Sequence, residues 1–349
     1  AGVAVGLAAA TGIVYRKQIK SAASLKRLTD YTDGYDLYAI DIAYDYDLDR
    51  IIAADVRDDQ AYIDAVLAQV LPGVPAHVQA PQFACSAFAA VDAEGRVRTG
   101  RNYDFKDDTS ALLVRNHPRD GYASIGFAAL NNLSANAPLD SVAGRAAALM
   151  GPFAQLDGVN ECGVSIAVLT LDSKPCDQDT QRPVINTSLA IRLVLDRAAT
   201  TQEAVDLLSA YDMHAMAGRD YHFFINDVAG DARVVEWGPR DPDRTCKATP
   251  VRQVTNFYAC YEDEVLPNQK NGELGHGKER ALVIADVLDA HTGAQDEAVA
   301  WKALRAAAQE PNPEDITSNT QWSVVFDNTE PAAAITLRRH WGDVDAFAL

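Results

Sequence analysis

Three side chains are spaced so that one folded hairpin could bring a thiol, a cation and a carboxylate together. Cys85 is followed 16 residues later by Arg101 and 19 residues later by Asp104. A guanidinium beside a thiol lowers the pKa of the thiol and favours the thiolate, which is the nucleophilic form. A carboxylate can hold and orient an amino group. The three residue types therefore suit nucleophilic attack by a cysteine on a carbonyl carbon.

The α-amino group that such a carboxylate would orient does not exist in the uncut chain. It forms only if the peptide bond between Ala84 and Cys85 is cut, so we expect self-cleavage at that bond. Two simpler interpretations compete with this one. A lone cysteine is most often a buried structural residue, and Arg101 and Asp104 could form a surface ion pair.

A predicted β-hairpin would position the three side chains. Residues 86–91 form an apolar, strand-like run, and residues 92–95 read Asp-Ala-Glu-Gly, where the glycine can take a positive φ. Residues 96–103 read as the returning strand. Cys85 would then open the first strand, and the end of the second strand would return Arg101 and Asp104 to it.

The rest of the chain alternates between paired strands and blocks of helices. Helical patterns cover residues 58–71, 187–198, about 201–210 and 279–290, the third of them opened by a Thr200-x-x-Glu203 capping box. Strand patterns cover parts of 35–46 and residues 221–226, 232–237, 251–258, 322–326 and 333–338. Antiparallel pairs without βαβ repeats favour an α+β fold, with helices packed on antiparallel sheets.

Three later segments extend the pattern around the cysteine. Residues 157–164 read Asp-Gly-Val-Asn-Glu-Cys-Gly-Val. A Thr-Asn pair ending at Asn256 lies near the end of the predicted strand 251–258, and Arg280 lies on a predicted helix. With the Cys-Arg-Asp spacing, these segments make residues 85 to about 340 resemble the choloylglycine hydrolase family. This family of N-terminal-nucleophile hydrolases includes conjugated bile salt hydrolases and penicillin V acylases. Within it, the chain is most similar to the linear amide C–N hydrolases that have long N-terminal extensions.

The resemblance implies a role for each residue of the hairpin. Cys85 would be the nucleophile, and its own free α-amino group would be the general base, since the reference pKa of an α-amino group is ~7.7–8.0. Arg101 would stabilise the thiolate, and Asp104 would hydrogen-bond the α-amino group.

The later segments would complete the site. Asn256 and the backbone around Asn160 would form the oxyanion hole, and Arg280 would support the charge network. The fold implied is a four-layer αββα sandwich of two antiparallel sheets with outer helices, preceded by an N-terminal propeptide-like segment. No cofactor or metal is expected. We interpret His214 as a packing or surface residue and Trp322 as a core residue.

The first 84 residues differ from the rest in composition and sequence pattern. Residues 1–20 begin with a mostly apolar stretch that could be the remnant of a signal or membrane anchor, and residues 21–84 look like a propeptide. The proline-containing stretch 72–81 reads as a linker. Residues 85–349 would form the hydrolase domain. The propeptide would either be removed or stay bound as a cover over the active site.

Charge and composition narrow the range of partners. The chain has 49 Asp and Glu against 31 Lys and Arg, a formal net charge of −18, which disfavours nucleic acid as a partner. We expect a small N-acyl amide substrate, with membrane anchorage through the N-terminus and a homo-oligomer both open. An extracytoplasmic or membrane-anchored location is expected, with the cytoplasm as the alternative.

The function expected from the sequence is hydrolysis of a linear, non-peptide amide through a thioester on Cys85. Two alternatives stay open: acyl transfer from the same thioester to an amine, and a non-catalytic extracytoplasmic binding protein of the same fold. The substrate is also open, and bile conjugates, penicillin V, N-acyl homoserine lactones and N-acyl amino acids all fit.

Overall fold

The structure, a computed structural model, describes residues 15–72, 84–133, 139, 141–270, 272–315 and 318–349. Residues 1–14 of the expected anchor segment and residues 73–81 of the expected linker therefore lie outside the described residues. Among the residues described, no helix has the length and apolar character that crossing a bilayer requires.

Seventeen strands are described. They are β1 Lys26–Arg27, β2 Leu37–Ile42, β3 Ala84–Val91, β4 Val97–Asp104, β5 Ala111–Asn116, β6 Ser124–Ala129, β7 Gln155–Asn160, β8 Ser165–Leu171, β9 Val184–Asn186, β10 Asp212–His214, β11 Asp220–Asn226, β12 Arg233–Trp237, β13 Cys246–Pro250, β14 Gln253–Val254, β15 Thr320–Asp327, β16 Ala332–Leu337 and β17 Asp345–Ala348.

Eight α-helices are described. They are α1 Arg16–Ser24, α2 Leu48–Ile52, α3 Asp59–Val70, α4 Val142–Ala148, α5 Thr187–Arg197, α6 Thr201–Ser209, α7 Lys278–Asp289 and α8 Glu297–Ala307. Short 3-10 turns cover Leu130–Leu133, Gly151–Phe153, Met216–Gly218 and Ala259–Glu264.

The strands form two large sheets. Sheet I has nine strands in the order β1-β2-β5-β6-β7-β8-β11-β12-β13, and sheet II has six in the order β14-β3-β4-β15-β16-β17. Neighbours in both sheets are antiparallel except for β2 and β5, which run parallel. A separate parallel pair joins β9 and β10.

Helices cover the outer faces of both sheets. Helix α5 packs on β7 and β8 of sheet I, and helices α7 and α8 pack on sheet II. Polar contacts cross between the inner faces, such as Thr99 Oγ1 to Ser165 Oγ at 2.7 Å. The predicted four-layer αββα sandwich is therefore confirmed.

The predicted hairpin around Cys85 is confirmed, with Cys85 opposite Tyr103 in the β3–β4 ladder. Side chains alternate along β3 because successive residues of a strand point to opposite faces. Cys85 and Ala87 lie in the core between the two sheets. Phe88 and Ala90 pack instead in the cluster formed with α7 and α8. The thiol is thus directed into the interior of the sandwich.

The N-terminal segment is part of sheet I. Strand β2 pairs with β5 over six residue pairs. The predicted helix is confirmed as α3, with Asp58 Oδ1 accepting from the backbone N–H of Ala61 at 2.8 Å. The apolar side chains of α3 are buried in the same core as the rest of sheet I.

The predicted strand at 251–258 is wrong in extent, since only Gln253–Val254 forms a ladder, with β3. From Thr255 onward the backbone bonds elsewhere. His276 N–H donates to the carbonyl of Asn256 at 2.8 Å, and a 3-10 turn follows at Ala259. These irregular residues carry part of the candidate site.

Candidate active site

Cys85 is held at three of its atoms by three of the predicted site residues. Its backbone N–H donates to Asn256 Oδ1 at 3.0 Å, and its Sγ accepts from Arg101 Nη2 at 3.3 Å. Its carbonyl oxygen accepts from Arg280 Nη1 at 2.8 Å. The side chain is fully buried. Residues far apart in sequence therefore meet around one thiol.

Arg101 links the two sheets beside that thiol. Its Nε lies 2.9 Å from Asp157 Oδ2, and its Nη2 also donates to the carbonyl of Val168 at 3.3 Å. Its guanidinium carbon lies 5.1 Å from the ring centroid of Tyr103 and 5.6 Å from that of Trp322. Because removing charges from water is costly, such a fully buried pair persists only with good geometry. Arg101 is thus confined to one position.

Asp157 is a site residue that the sequence analysis did not select. It stands first in the matched segment 157–164, and this position is the signal that could have found it. Besides its ion pair with Arg101, it accepts from Trp322 Nε1 at 3.2 Å and from the backbone N–H of Phe127 at 3.2 Å. Burial raises the pKa of Asp157 to about 6, against the opposing charge of Arg101. Trp322 is fully buried, as expected of a core residue.

The thiol in the uncut chain is a weak acid. Burial raises the pKa of Cys85 to about 12, and this effect exceeds the lowering by Arg101. The negative charge of Asp104 raises the pKa further, whereas Arg280 lowers it. The expected effect of Arg101 is therefore present but smaller than that of desolvation, because a buried thiolate loses its hydration.

Asp104 lies beside the bond that is expected to be cut, since it pairs with Ala84 across the hairpin. Its Oδ1 accepts from Thr320 Oγ1 at 2.6 Å, and its Oδ2 accepts from Gln309 Nε2 at 2.8 Å. Arg280 Nη1 lies 3.4 Å from the same Oδ2. Thr320 and Gln309 carry no sequence motif and were missed.

Asn256 and Arg280 form a second bonded pair around Cys85. Asn256 Oδ1 accepts from Arg280 Nη2 at 2.7 Å as well as from the Cys85 N–H. Asn256 Nδ2 donates to the carbonyl of Thr170 at 2.8 Å. An amide Nδ2 carries two hydrogens, and the bond to Thr170 uses one of them.

Gly277 makes the position of Arg280 possible. It precedes α7 with a φ of 82°, a region that L-residues with a side chain rarely adopt. A Cβ at this residue would stand 2.4 Å from Arg280 Nη2. The absence of a side chain therefore lets the guanidinium fold back toward Asn256 and Cys85.

Asn160 is used in another part of the fold. Its Nδ2 donates to the carbonyls of Leu195 and Ala198, and its Oδ1 accepts from the N–H groups of Cys162 and Val164. These bonds tie the end of α5 to the β7–β8 turn. Across the described ranges, no hydrogen bond joins Asn160 to the other five predicted site residues, which do meet. Its oxyanion role stays a prediction.

A polar cavity of about 330 Å³ opens next to Arg280. One wall is His276, whose Nδ1 lies 2.8 Å from Asp172 Oδ2, while Arg219 Nη1 lies 2.6 Å from Asp172 Oδ1. The hydrogen bond with His276 holds the pKa of Asp172 below its ordinary value. The cavity adjoins the site through Arg280 and through Gln309, which bonds Asp104.

All five cysteines are free thiols. In the part of the chain that the structure describes, no group of three or more His, Cys, Asp or Glu side chains has the arrangement of a metal site. The chemistry available at the described site is that of a thiol among two guanidinium groups, two carboxylates and an amide.

One family model matches most of the chain. The family model for acyl-coenzyme A:6-aminopenicillanic acid acyl-transferase matches residues 91–340, which include five of the six predicted site residues but begin after Cys85. A search of curated proteins gave no match.

Solved structures share the fold. A variant of the conjugated bile acid hydrolase from Clostridium perfringens superposes with a TM-score of 0.58 at 15% identity, covering 76% of this chain and 92% of that one. Penicillin V acylase from Agrobacterium tumefaciens superposes with a TM-score of 0.54 at 19% identity, covering 76% and 86%. The chain therefore belongs to the acyl-coenzyme A:6-aminopenicillanic acid acyl-transferase family, on the fold that conjugated bile acid hydrolase and penicillin V acylase share.

Proposed function

We propose that the chain is the precursor of a cysteine N-terminal-nucleophile hydrolase that cleaves a linear, non-peptide amide bond of an N-acyl compound. The observation that carries the proposal is the contact set of Cys85. Asn256 holds its N–H, Arg101 holds its Sγ and Arg280 holds its carbonyl. A structural cysteine in a core has no need of two guanidinium groups and an amide.

The first step is self-cleavage. Cys85 Sγ attacks the carbonyl carbon of Ala84, the C–N bond to Cys85 breaks, and the thiol proton passes to the departing nitrogen. The acyl group is now a thioester on Sγ. Water hydrolyses it, which leaves a carboxylate on Ala84 and both a free thiol and a free α-amino group on Cys85.

The second step is turnover. The free α-amino group takes the thiol proton as Sγ attacks the substrate amide, and it later donates this proton to the leaving amine. Asp104, which pairs with Ala84 in the ladder, would hold the new ammonium group. The remaining Asn256 Nδ2 hydrogen would bind the developing oxyanion, a contribution of about 3–4 kcal/mol to the transition state. Water then releases the acid from the thioester.

The contacts of the N-terminal segment favour its retention as a bound cover. Cutting before Cys85 would remove the covalent connection between β2 and β5, but their ladder of six residue pairs does not depend on that bond. Three tyrosines bond across the same boundary. Tyr46 donates to Asp196 at 2.8 Å, Tyr62 to the carbonyl of Phe153 at 2.7 Å and Tyr44 to the carbonyl of Leu149. We therefore propose that residues 21–84 stay attached after cleavage.

Acyl transfer is the second candidate, because the matching family model is described as an acyl-transferase. The same thioester would be released by an amine instead of water. Adding an acceptor amine to a hydrolysis reaction separates the two activities, since a transferase forms the new amide at the expense of the free acid. A non-catalytic binding protein would form neither product.

Intact mass and N-terminal sequencing of the purified protein test the proposal, followed by a panel of N-acyl amides that differ in acyl chain and amine. We expect a new N-terminus at Cys85, and a Cys85→Ala variant that stays full-length and inactive. Processing of Cys85→Ala at the same bond would show that self-cleavage by the thiol is wrong. An uncut parent that turns over no amide would refute the hydrolase.

A further inference from the structure

A buried histidine and glutamate outside the proposed reaction bear on Asn256. His222 on β11 and Glu236 on β12 are both fully buried, in strands whose register places Phe223 opposite Val235. His222 Nδ1 lies 3.3 Å from Glu236 Oε2. Burying two ionisable groups is costly unless each of their polar atoms is bonded. The remaining hydrogen bonds of His222 and Glu236 therefore identify the backbone groups that this pair positions.

Both partners bind the backbone on either side of Asn256. His222 Nε2 lies 3.0 Å from the carbonyl oxygen of Thr255. Because a carbonyl only accepts, this nitrogen must be the N–H donor. The carboxylate of Glu236 accepts from the backbone N–H of Ala259 at 3.0 Å and of Cys260 at 2.7 Å. The pair thus clamps the chain one residue before and three residues after Asn256.

The clamped stretch has lost the support of a β-ladder. Strand β14 ends at Val254, so the sheet no longer fixes the peptide planes that follow. The amide of Asn256 must nevertheless present Oδ1 to the Cys85 N–H and Nδ2 to the carbonyl of Thr170. Because Thr255 and Asn256 share a peptide plane, a tilt of the Thr255 carbonyl would reorient the Asn256 side chain.

We propose that His222 and Glu236 are positioning residues that orient Asn256 for the reaction at Cys85. The inference rests on the proposed function. Neither residue touches the reacting atoms in the described structure, and each acts through the Thr255–Cys260 backbone. Oxyanion binding tolerates displacement of a donor by only about 0.5 Å. Loss of the clamp therefore lowers the rate of chemistry more than it weakens substrate binding.

Two substitutions of similar size separate orientation from packing. His222→Gln keeps an N–H that can reach the Thr255 carbonyl, whereas His222→Met fills the space without a donor. We expect His222→Met to lower kcat about 100-fold, the effect of losing one oxyanion donor, with KM nearly unchanged. His222→Gln should retain kcat within about tenfold of the parent. Self-cleavage at Cys85 should slow in the same order.

Equal kcat values in the two variants, at matched melting temperatures, would overturn the proposal, as would a loss confined to KM. If His222→Met fails to fold, Glu236→Gln replaces it, because this change keeps one acceptor oxygen and removes the charge that faces His222. Glu236→Gln must then lower kcat with KM unchanged, and parent-like kcat would refute the clamp. Parent protein that neither cleaves itself nor hydrolyses amides would instead refute the proposed function.

Discussion

At Cys85, burial and nearby positive charge act on the thiol pKa in opposite directions, and burial dominates in the uncut chain. With a pKa of about 12, only about one thiol in 10⁵ is ionised at pH 7. The uncut protein therefore holds this thiol protonated. The proposed cleavage would change this state, because it would place a base on the same residue.

The first prediction concerns the reactivity of this thiol. We expect iodoacetamide to label Cys85 slowly in uncut chains at pH 7, faster as the pH rises toward 12, and rapidly at pH 7 in cut chains. Tryptic peptides distinguish the forms within one sample, since the peptide either spans Ala84–Cys85 or begins at Cys85. The other four cysteines are present in both forms, so the extent of their labelling serves as an internal control. Equal labelling of the two peptides would show that the new α-amino group does not activate the thiol.

The Arg101–Asp157 pair allows stability and catalysis to be tested separately. Arg101→Met leaves the carboxylate of Asp157 buried without its partner, and we expect a loss of about 3–5 kcal/mol in unfolding free energy. The double variant Arg101→Met/Asp157→Asn should recover much of this loss, because no unpaired charge remains, while turnover stays low. Urea unfolding and kcat measure the two effects. Recovery of turnover in the double variant would assign Arg101 a purely structural role.

Asp157 also predicts a dependence of stability on pH. Its pKa of about 6 in the folded chain exceeds the ordinary 3.8 of an unfolded aspartate. Between these values the folded state binds more protons, so the contribution of Asp157 to stability falls as pH rises from about 4 to about 6. Relative to Asp157→Asn, the parent should lose at most about 3 kcal/mol of unfolding free energy between pH 4 and pH 7. A constant difference would contradict the shift.

At the scale of elements, the site depends on the turn that opens α7. Gly277 and Gly293 both have a positive φ, but a Cβ at Gly277 would contact Arg280, whereas a Cβ at Gly293 would meet no atom within 4 Å. The two positions therefore share the backbone strain of a substitution, but only a Cβ at Gly277 would crowd the Arg280 guanidinium and, at 3.1 Å, Thr255 Oγ1.

Alanine at each position gives a matched comparison. We expect both Gly277→Ala and Gly293→Ala to lower stability by about 1 kcal/mol, because alanine is unfavourable at positive φ. Only Gly277→Ala should also lower kcat, about tenfold or more, since Arg280 can no longer reach Asn256. Thermal unfolding and steady-state kinetics measure the two quantities. Similar kcat values in the two variants would show that the position of Arg280 does not affect the reaction.

At the scale of the whole molecule, the segment before Cys85 and the domain after it form one core. Sheet I contains β2 from the first and β5 from the second, and Tyr46 reaches the buried Arg192–Asp196 pair. Burial raises the pKa of Asp196, and Arg192 opposes this rise. The Tyr46 hydroxyl therefore satisfies part of a buried charge network that spans the cleavage site.

Retention of the segment is the last prediction. Native mass spectrometry of fully cut protein should give the summed mass of both pieces, which separate only in denaturant. Tyr46→Phe leaves Asp196 short of a donor, so we expect a loss of about 1–3 kcal/mol in unfolding free energy. Tyr35→Phe is the control, because the Tyr35 hydroxyl has no hydrogen-bond partner within the described residues. Release of the segment under native conditions would favour its role as a removable propeptide.

Local sequence patterns were enough to predict the hairpin, several of the helices and the meeting of Cys85, Arg101 and Asp104. Turn residues, apolar periodicity and caps act locally, and a ladder of known register returns a residue to its partner. The helix cap at Asp58 and the fold class follow from the same local patterns. Motif spacing also predicted that Asn256 and Arg280 would join the site, and in the structure both contact Cys85.

Other properties of the site depend on packing between segments that are distant in the sequence. Burial sets the protonation of Cys85 and Asp157, and burial depends on how both sheets and the N-terminal segment pack. Strand β14 stops at Val254, and the backbone that follows forms long-range bonds with His222, Glu236 and His276 instead. Parallel pairing of β2 with β5 joins residues on opposite sides of the proposed cleavage site. Contacts between distant segments depend on the summed packing of the whole chain, which no local pattern encodes.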